Sequence, residues 1–262
     1  MATAGGAGDA TTFLRRHGGL VWRVGVDLAL GPVTTATAAL YFQRFYLVQQ
    51  QGDFDAVRIA MACVWLASKV CEEKTRLRDI VNSFLALHGC EASPQVEKTT
   101  KANGSTDGEV MQMEAYWALR DDLILCEQAV LRAMAFDVEP TPAYSFLLEF
   151  VWMLNCDARE QGLITLAWTL LNDAFCSEIC AVSPPARVAM ACLLLAVEMG
   201  RRVSHLRAEA ERVASNVDNI CREPHLEDFL GLGSSSGGDE LEELIRNLLA
   251  VYEAAHCVNV LE

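Results

Sequence analysis

Lysine is scarce in this chain: Lys69, Lys74, Lys98 and Lys101 are four of 21 basic residues. No lysine and arginine cluster marks a nuclear import signal, and no basic stripe fits a phosphate backbone. The 35 acidic residues leave a formal charge of −14, so direct nucleic-acid binding is disfavoured. Ten cysteines include no CxxC pair. Cys176 and Cys180 stand four apart on an expected helix, with no histidine nearby in sequence. The cysteines are therefore expected to be small buried hydrophobes in a reducing compartment, not zinc or redox ligands. His17, His88, His205, His225 and His256 form no metal or catalytic spacing. The opening MATAGGAGDATTF has neither a basic leader region nor an apolar core of signal-peptide length. The longest apolar run, Val188–Val197, falls far short of the roughly 20 residues of a membrane span. GxSxG, HExxH and phosphate-binding glycine loops are all missing. These absences predict a soluble intracellular protein with no membrane contact, no cofactor, no metal and no catalytic activity of its own.

What the chain does have is apolar content, 52 % of 262 residues, enough for two cores of ordinary size. It also has an internal repeat. Val57–Val70 reads VRIAMACVWLASKV and Ala186–Met199 reads ARVAMACLLLAVEM, with seven of fourteen positions identical at a constant offset of 129. Each copy is apolar nearly all round a helix and rich in alanine and cysteine. Such a helix sits at the centre of a bundle, where small side chains let neighbours approach closely. One difference between the copies stands out: Lys69 in the first becomes Glu198 in the second.

Strand signals are few, and turns fall at glycine and proline. The spacing predicts helices over Leu14–Leu30, from after Pro32 to about Val48, over Asp55–Cys71, a stretch from Leu77, and Gln112–Met134. The Gly18-Gly19 pair is expected to divide the first into a short leader and a main piece. Leu77, Ile80, Val81 and Phe84 mark one face of the fourth. Gly89–Val110 reads as an insertion loop. Pro140 and Pro142 separate the halves. The second half reads as helices over Tyr144–Leu154, Leu163–Phe175, Ala186–Gly200, Arg202–Ile220 and Asp239–His256, with a Gly/Ser loop at Gly231–Gly238. The expected organisation is a flexible start (1–10), a helical domain (11–138) with an insertion at about 89–110, and a second helical domain (139–262).

Three stretches carry a family resemblance. VTTATAALYFQRFY (Val33–Tyr46) resembles the second helix of a cyclin box. MACVWLASKVCEEKTRLRDIV (Met61–Val81) resembles its third and fourth helices, and LILCEQAVLRAMAFDV (Leu123–Val138) its fifth helix and exit. RLRDIVNSF (Arg76–Phe84) is similar to the transcription-type branch. YWALRDDLILCE (Tyr116–Glu127) is most similar to the cyclin Q group, with cyclins L and K as neighbours. The MRAIL docking motif of cell-cycle cyclins is missing from the first helix, and Gln43 stands where that branch has Asp before Arg-Phe. The implied fold is all-α, with two tandem five-helix cyclin-box domains.

The resemblance implies a non-catalytic regulatory subunit that binds and activates a cyclin-dependent serine/threonine kinase, in transcription or cell-cycle control, in the nucleus or cytoplasm. A kinase of this class swings its C-helix outward when alone, which breaks the Lys–Glu ion pair that places ATP. A partner that binds only the inward state shifts the population by its differential affinity. In the family, a lysine on the third helix and a glutamate on the fifth grip the C-helix and its adjoining loop. Those roles map onto Lys69 and Glu127, with Glu72 and Glu73 as acidic rim contacts. Arg44 and Phe45 are expected in packing and a buried ion pair. The Phe13–Arg16 leader is placed against the kinase. The alternative is a non-kinase cyclin-fold scaffold of the transcription machinery that binds protein partners. Transcription factors of the B type, which carry two such repeats, are basic and often bear a zinc ribbon; this chain is acidic and lacks the ribbon cysteines.

Overall fold

Asp55 starts the first repeat copy as a helix by accepting hydrogen bonds from the backbone N–H groups of Val57 (2.9 Å) and Arg58 (3.1 Å), the usual work of an N-cap aspartate. In this computed structural model, which describes residues 6–88, 113–154, 156, 161–220 and 237–259, every regular element among the described residues is helical. The first five helices are α1 (Gly6–Asp27), α2 (Pro32–Val48), α3 (Ala56–Val70), α4 (Leu77–His88) and α5 (Met113–Ala133). Then follow α6 (Tyr144–Met153), α7 (Gln161–Ala174), α8 (Ile179–Val182), α9 (Pro185–Arg202), α10 (Arg207–Ile220) and α11 (Gly237–Asn259). Proline opens α2 and α9, where its missing N–H has no helical acceptor to satisfy.

The chain divides into two compact units, Met1–Pro140 and Thr141–Glu262. In the first, α3 touches each of α1, α2, α4 and α5. In the second, α9 touches each of α6, α7, α8, α10 and α11. The repeat therefore encodes the hub of each unit. Ala60, Ala62, Cys63 and Ala67 are fully buried in α3, as are Ala189, Ala191, Cys192 and Ala196 in α9. Bulk is supplied by the neighbours: Phe42 and Phe45 from α2, Phe84 from α4, Leu163 and Leu171 from α7.

Three expectations need correction. The Gly18-Gly19 pair does not break α1, which runs unbroken from Gly6 to Asp27. Buried Leu14, Leu20, Val21 and Val24 hold it together, offsetting the roughly 1 kcal/mol that each glycine costs a helix. Cys176 and Cys180 do not share a helix: Cys176 lies in the turn after α7 and Cys180 in the four-residue α8, an element the spacing did not reveal. Arg44 pairs with Asp137 at 3.4 Å, but at the surface rather than in the core. Phe45 is buried as expected. The insertion Gly89–Val110 and most of the Gly/Ser loop lie outside the described residues.

Burial sets an alkaline limit on this fold. It pushes the phenols of Tyr41, Tyr46 and Tyr144 and the thiol of Cys63 upward, and the Cys192 thiol to about 12. These groups stay neutral in the fold, whereas an unfolded chain ionises them near their ordinary values of about 8.5–10. Above that range the unfolded state has lost protons that the native state keeps, so stability falls as pH rises. Thermal melts followed by circular dichroism should give a constant midpoint from pH 7 to about 8.5 and a steep fall toward pH 11. A flat profile through pH 11 would contradict the neutral buried groups.

Candidate partner-binding site

The last turn of α3 carries Lys69, and its Nζ reaches across to Oε1 of Glu127 on α5, 58 positions later. Two residues singled out separately by resemblance are thus one ion pair. The Lys69 side chain is 44 % exposed and that of Glu127 is 13 % exposed, so the lysine stands at the rim over a mostly buried glutamate. The Lys69 ammonium also lies 3.8 Å from the ring centroid of Trp65, one helical turn earlier. Trp65 and Glu127 therefore hold the amine from two sides, which limits the rotamers of an otherwise mobile chain.

Apolar surface adjoins the pair along α5. Leu131 follows Glu127 by four residues and is half-buried. Phe136, in the turn after the helix, is 66 % exposed with φ +64°. Tyr41 Oη donates to the carbonyl of Val138 and ties this exit to α2. At the other end of α3, Arg58 bridges to Asp122 of α5 at 2.7 Å.

The second copy lacks this arrangement. Glu198, at the Lys69 position, pairs with Arg201 (3.3 Å) and Arg202 (3.5 Å) on its own helix. By contrast Arg187, the equivalent of Arg58, bridges from α9 to Glu240 of α11. The repeat thus keeps its interhelical bridge at one end of the hub and differs at the other.

Glu72 and Glu73 take distinct positions. Glu72 is exposed with φ +57°, the left-handed conformation that usually belongs to glycine after a helix. Its N–H donates to Lys69 O (3.3 Å), and that of Glu73 donates to Ser68 O (2.9 Å). Together these form a Schellman closure of α3. The Glu73 carboxylate accepts from Gly31 N (3.1 Å to each oxygen) and from Thr34 Oγ1 (2.8 Å). Gly31 is the N-cap of α2 and has no capping side chain of its own, so a glutamate 42 positions away supplies the acceptor at the positive end of the helix. Sequence reasoning missed this role. The available signal was a helix opening on Gly-Pro with no Ser, Thr, Asp or Asn to cap it. The second unit repeats the device: Glu209 accepts from Leu163 N in the first turn of α7 at 3.0 Å. Because Glu72 bears a left-handed backbone, Glu72→Gly should raise unfolding free energy by about 0.5–1 kcal/mol. Urea titration checks this; a loss of stability would contradict the assigned conformation.

The Phe13–Arg16 segment lies within α1, where Leu14 is buried and Phe13 packs on Phe42 and Tyr46 of α2. These two side chains serve the core of their own unit. Among the described residues no group of three or more His, Cys, Asp and Glu is placed to hold a metal ion. No helix among them is long and apolar enough to cross a membrane.

Comparison with known proteins bears on the family and the fold. A family model described as the cyclin N-terminal domain matches residues 15–139. The chain belongs to the cyclin family. Its relatives place it in the transcription-type branch. Cyclin pch1 of Schizosaccharomyces pombe is 30 % identical over 175 residues, covering 67 % of this chain and 47 % of that protein. Cyclin-L2 of Mus musculus is 31 % identical over 189 residues, covering 72 % and 34 %. The chain therefore spans about a third to a half of the length of these relatives. Among solved structures, a chain of the yeast RNA polymerase II CTD kinase complex CTDK-1 superposes with a TM-score of 0.58 at 19 % identity, covering 72 % of this chain and 55 % of that one. A chain of the Chaetomium thermophilum CAK complex bound to ATP-γ-S gives 0.62 at 15 % identity, covering 91 % and 62 %. At these identities the likeness is one of fold.

Proposed function

We propose that this cyclin-family chain is a non-catalytic subunit that binds a cyclin-dependent serine/threonine kinase and holds its C-helix in the active position. The observation that carries the reading is the Lys69–Glu127 pair, whose lysine is exposed at the rim of the unit that matches the cyclin N-terminal domain. The pair presents both an ammonium and a carboxylate to a docking helix. Lys69 donates to carbonyls at the C-helix or its adjoining loop, and Glu127 accepts from backbone N–H groups. Leu131 and Phe136 supply apolar adhesion alongside, and the charges set register. Holding the C-helix inward restores the kinase's own Lys–Glu pair, and the activation obtained equals the differential affinity for the two C-helix states. Glu72 and Glu73 border this surface, and the second unit is a cyclin-like repeat whose Glu198 does not take the kinase. The relatives favour work in transcription, with the complex in the nucleus. Native purification of the tagged chain followed by mass spectrometry tests the reading. A co-purified protein kinase is expected; recovery of only non-kinase transcription factors would favour the scaffold alternative.

A further inference from the structure

The α3–α4 turn holds a strained residue beside a tightly engaged one. Glu72 keeps a left-handed backbone that a non-glycine side chain disfavours. Such strain persists only where the surroundings over-determine it. Here they do so from the next residue: Glu73 carries three hydrogen bonds to the first turn of α2, and its own N–H closes α3 on Ser68 O. The carboxylate is fitted to its place. A Cβ at Gly31, the N-cap of α2, would stand 2.6 Å from Glu73 Oε1, so a side chain there would push the acid from its seat. The carbonyl of Lys69 accepts from the same turn through Cys71 N and Glu72 N. The last turn of α3 is thereby tied to α2 next to the residue whose side chain crosses to Glu127.

From this juxtaposition we infer that Glu73 is a positioning residue: its carboxylate, seated on the start of α2, holds the end of α3 so that Lys69 meets Glu127 ready for the kinase. The clamp rests on the kinase reading above for its function, but its geometry is testable in the free chain. Loss of the carboxylate releases the turn, lets Glu72 relax to an ordinary backbone, and loosens the Lys69 ammonium from Glu127. The end of α3 stays packed through buried Leu66, Ala67 and Ser68 but loses its carboxylate tie to the start of α2.

The test is acylation of the intact, natively folded chain with an amine-reactive ester, read by peptide mass spectrometry, with Lys101, remote in sequence from the substituted residues, as internal reference. It is run well below the melting midpoint of each variant, so a general loss of stability does not move it. In Glu73→Ala, Lys69 should be acylated about two- to fivefold faster than in wild type, the range expected for freeing an amine from one rim ion pair. Glu127→Ala should give the same increase, and adding Glu73→Ala to it should give little more. Gly31→Ala attacks the contact from the other side and should act like Glu73→Ala, while Glu73→Gln should lie between. The kinase recovered with the wild-type chain should be captured several-fold less by Glu73→Ala at the same temperature. Unchanged Lys69 acylation in folded Glu73→Ala and Gly31→Ala would overturn the clamp. Faster acylation with full kinase capture by both Glu73→Ala and the Lys69→Ala/Glu127→Ala double variant would overturn its function because the kinase reading itself had failed. Faster acylation and full capture by Glu73→Ala, with capture lost in the double variant, would overturn the positioning role alone.

Discussion

Reversing the charge at Lys69 (Lys69→Glu) should reduce affinity for the kinase about 100-fold or more while leaving the chain folded. In the free chain the Lys69 side chain is 44 % exposed, and rim ion pairs contribute only about 0–1 kcal/mol. Thermal unfolding should therefore shift by a few degrees at most. On docking, the same ammonium and the mostly buried Glu127 carboxylate lose their water. Truncating one member of a desolvated, hydrogen-bonded charge pair costs about 2–5 kcal/mol, and placing a second carboxylate beside Glu127 costs more. The swapped variant Lys69→Glu/Glu127→Lys separates two explanations. It restores attraction within the chain but presents the charges to the partner in the wrong order, so it should bind as poorly as Lys69→Glu. Surface plasmon resonance against the recovered kinase reads both variants. Full binding by the swapped chain would mean that the pair acts only within its own unit. Glu198→Lys, at the repeat position, should leave affinity unchanged.

Phe42→Ala should have the largest effect on stability, a loss of about 3–5 kcal/mol. The ring is fully buried. It packs against Tyr46 with centroids 4.9 Å apart, against His17 at 5.9 Å and against Phe13 at 6.4 Å. The His17 and Phe13 contacts join α1 to α2, and α2 packs directly on the hub α3. Removing the ring leaves a cavity bordered by other aromatic side chains, which cannot collapse into it without leaving their own rotamers. Urea unfolding monitored by tryptophan fluorescence should show the loss. A cost below about 1 kcal/mol would mean that α1 contributes little to the first unit.

Much of the fold is legible in the sequence because its periodicity is strong. The offset of 129 picks out α3 and α9, and burial without a polar face makes each the hub of its unit. Helix ends at Pro32, Asp55 and Pro185 are legible because proline and aspartate act through the local backbone. The run of α1 through Gly18-Gly19 is not, since tertiary burial of Val21 and Val24 outweighs local propensity. Four-residue α8 is too short to generate a period. The site divides in the same way. Lys69 is conspicuous as a lysine in an apolar helix, and Glu127 is found by family resemblance, but their pairing over 58 positions depends on how α3 and α5 pack. Glu73 is the harder case. In sequence it is one of two adjacent acids after a helix, and only the remote, uncapped start of α2 gives it its work.

The central claim concerns activation, and phosphoryl transfer measures it directly. The recovered kinase subunit is assayed on a peptide substrate alone, with saturating wild-type chain, and with the folded Lys69→Ala/Glu127→Ala chain at the same concentration. The account predicts that only the wild-type chain raises the turnover rate substantially. Equal stimulation by the double variant, or none by the wild type in a complex shown to form, would contradict it.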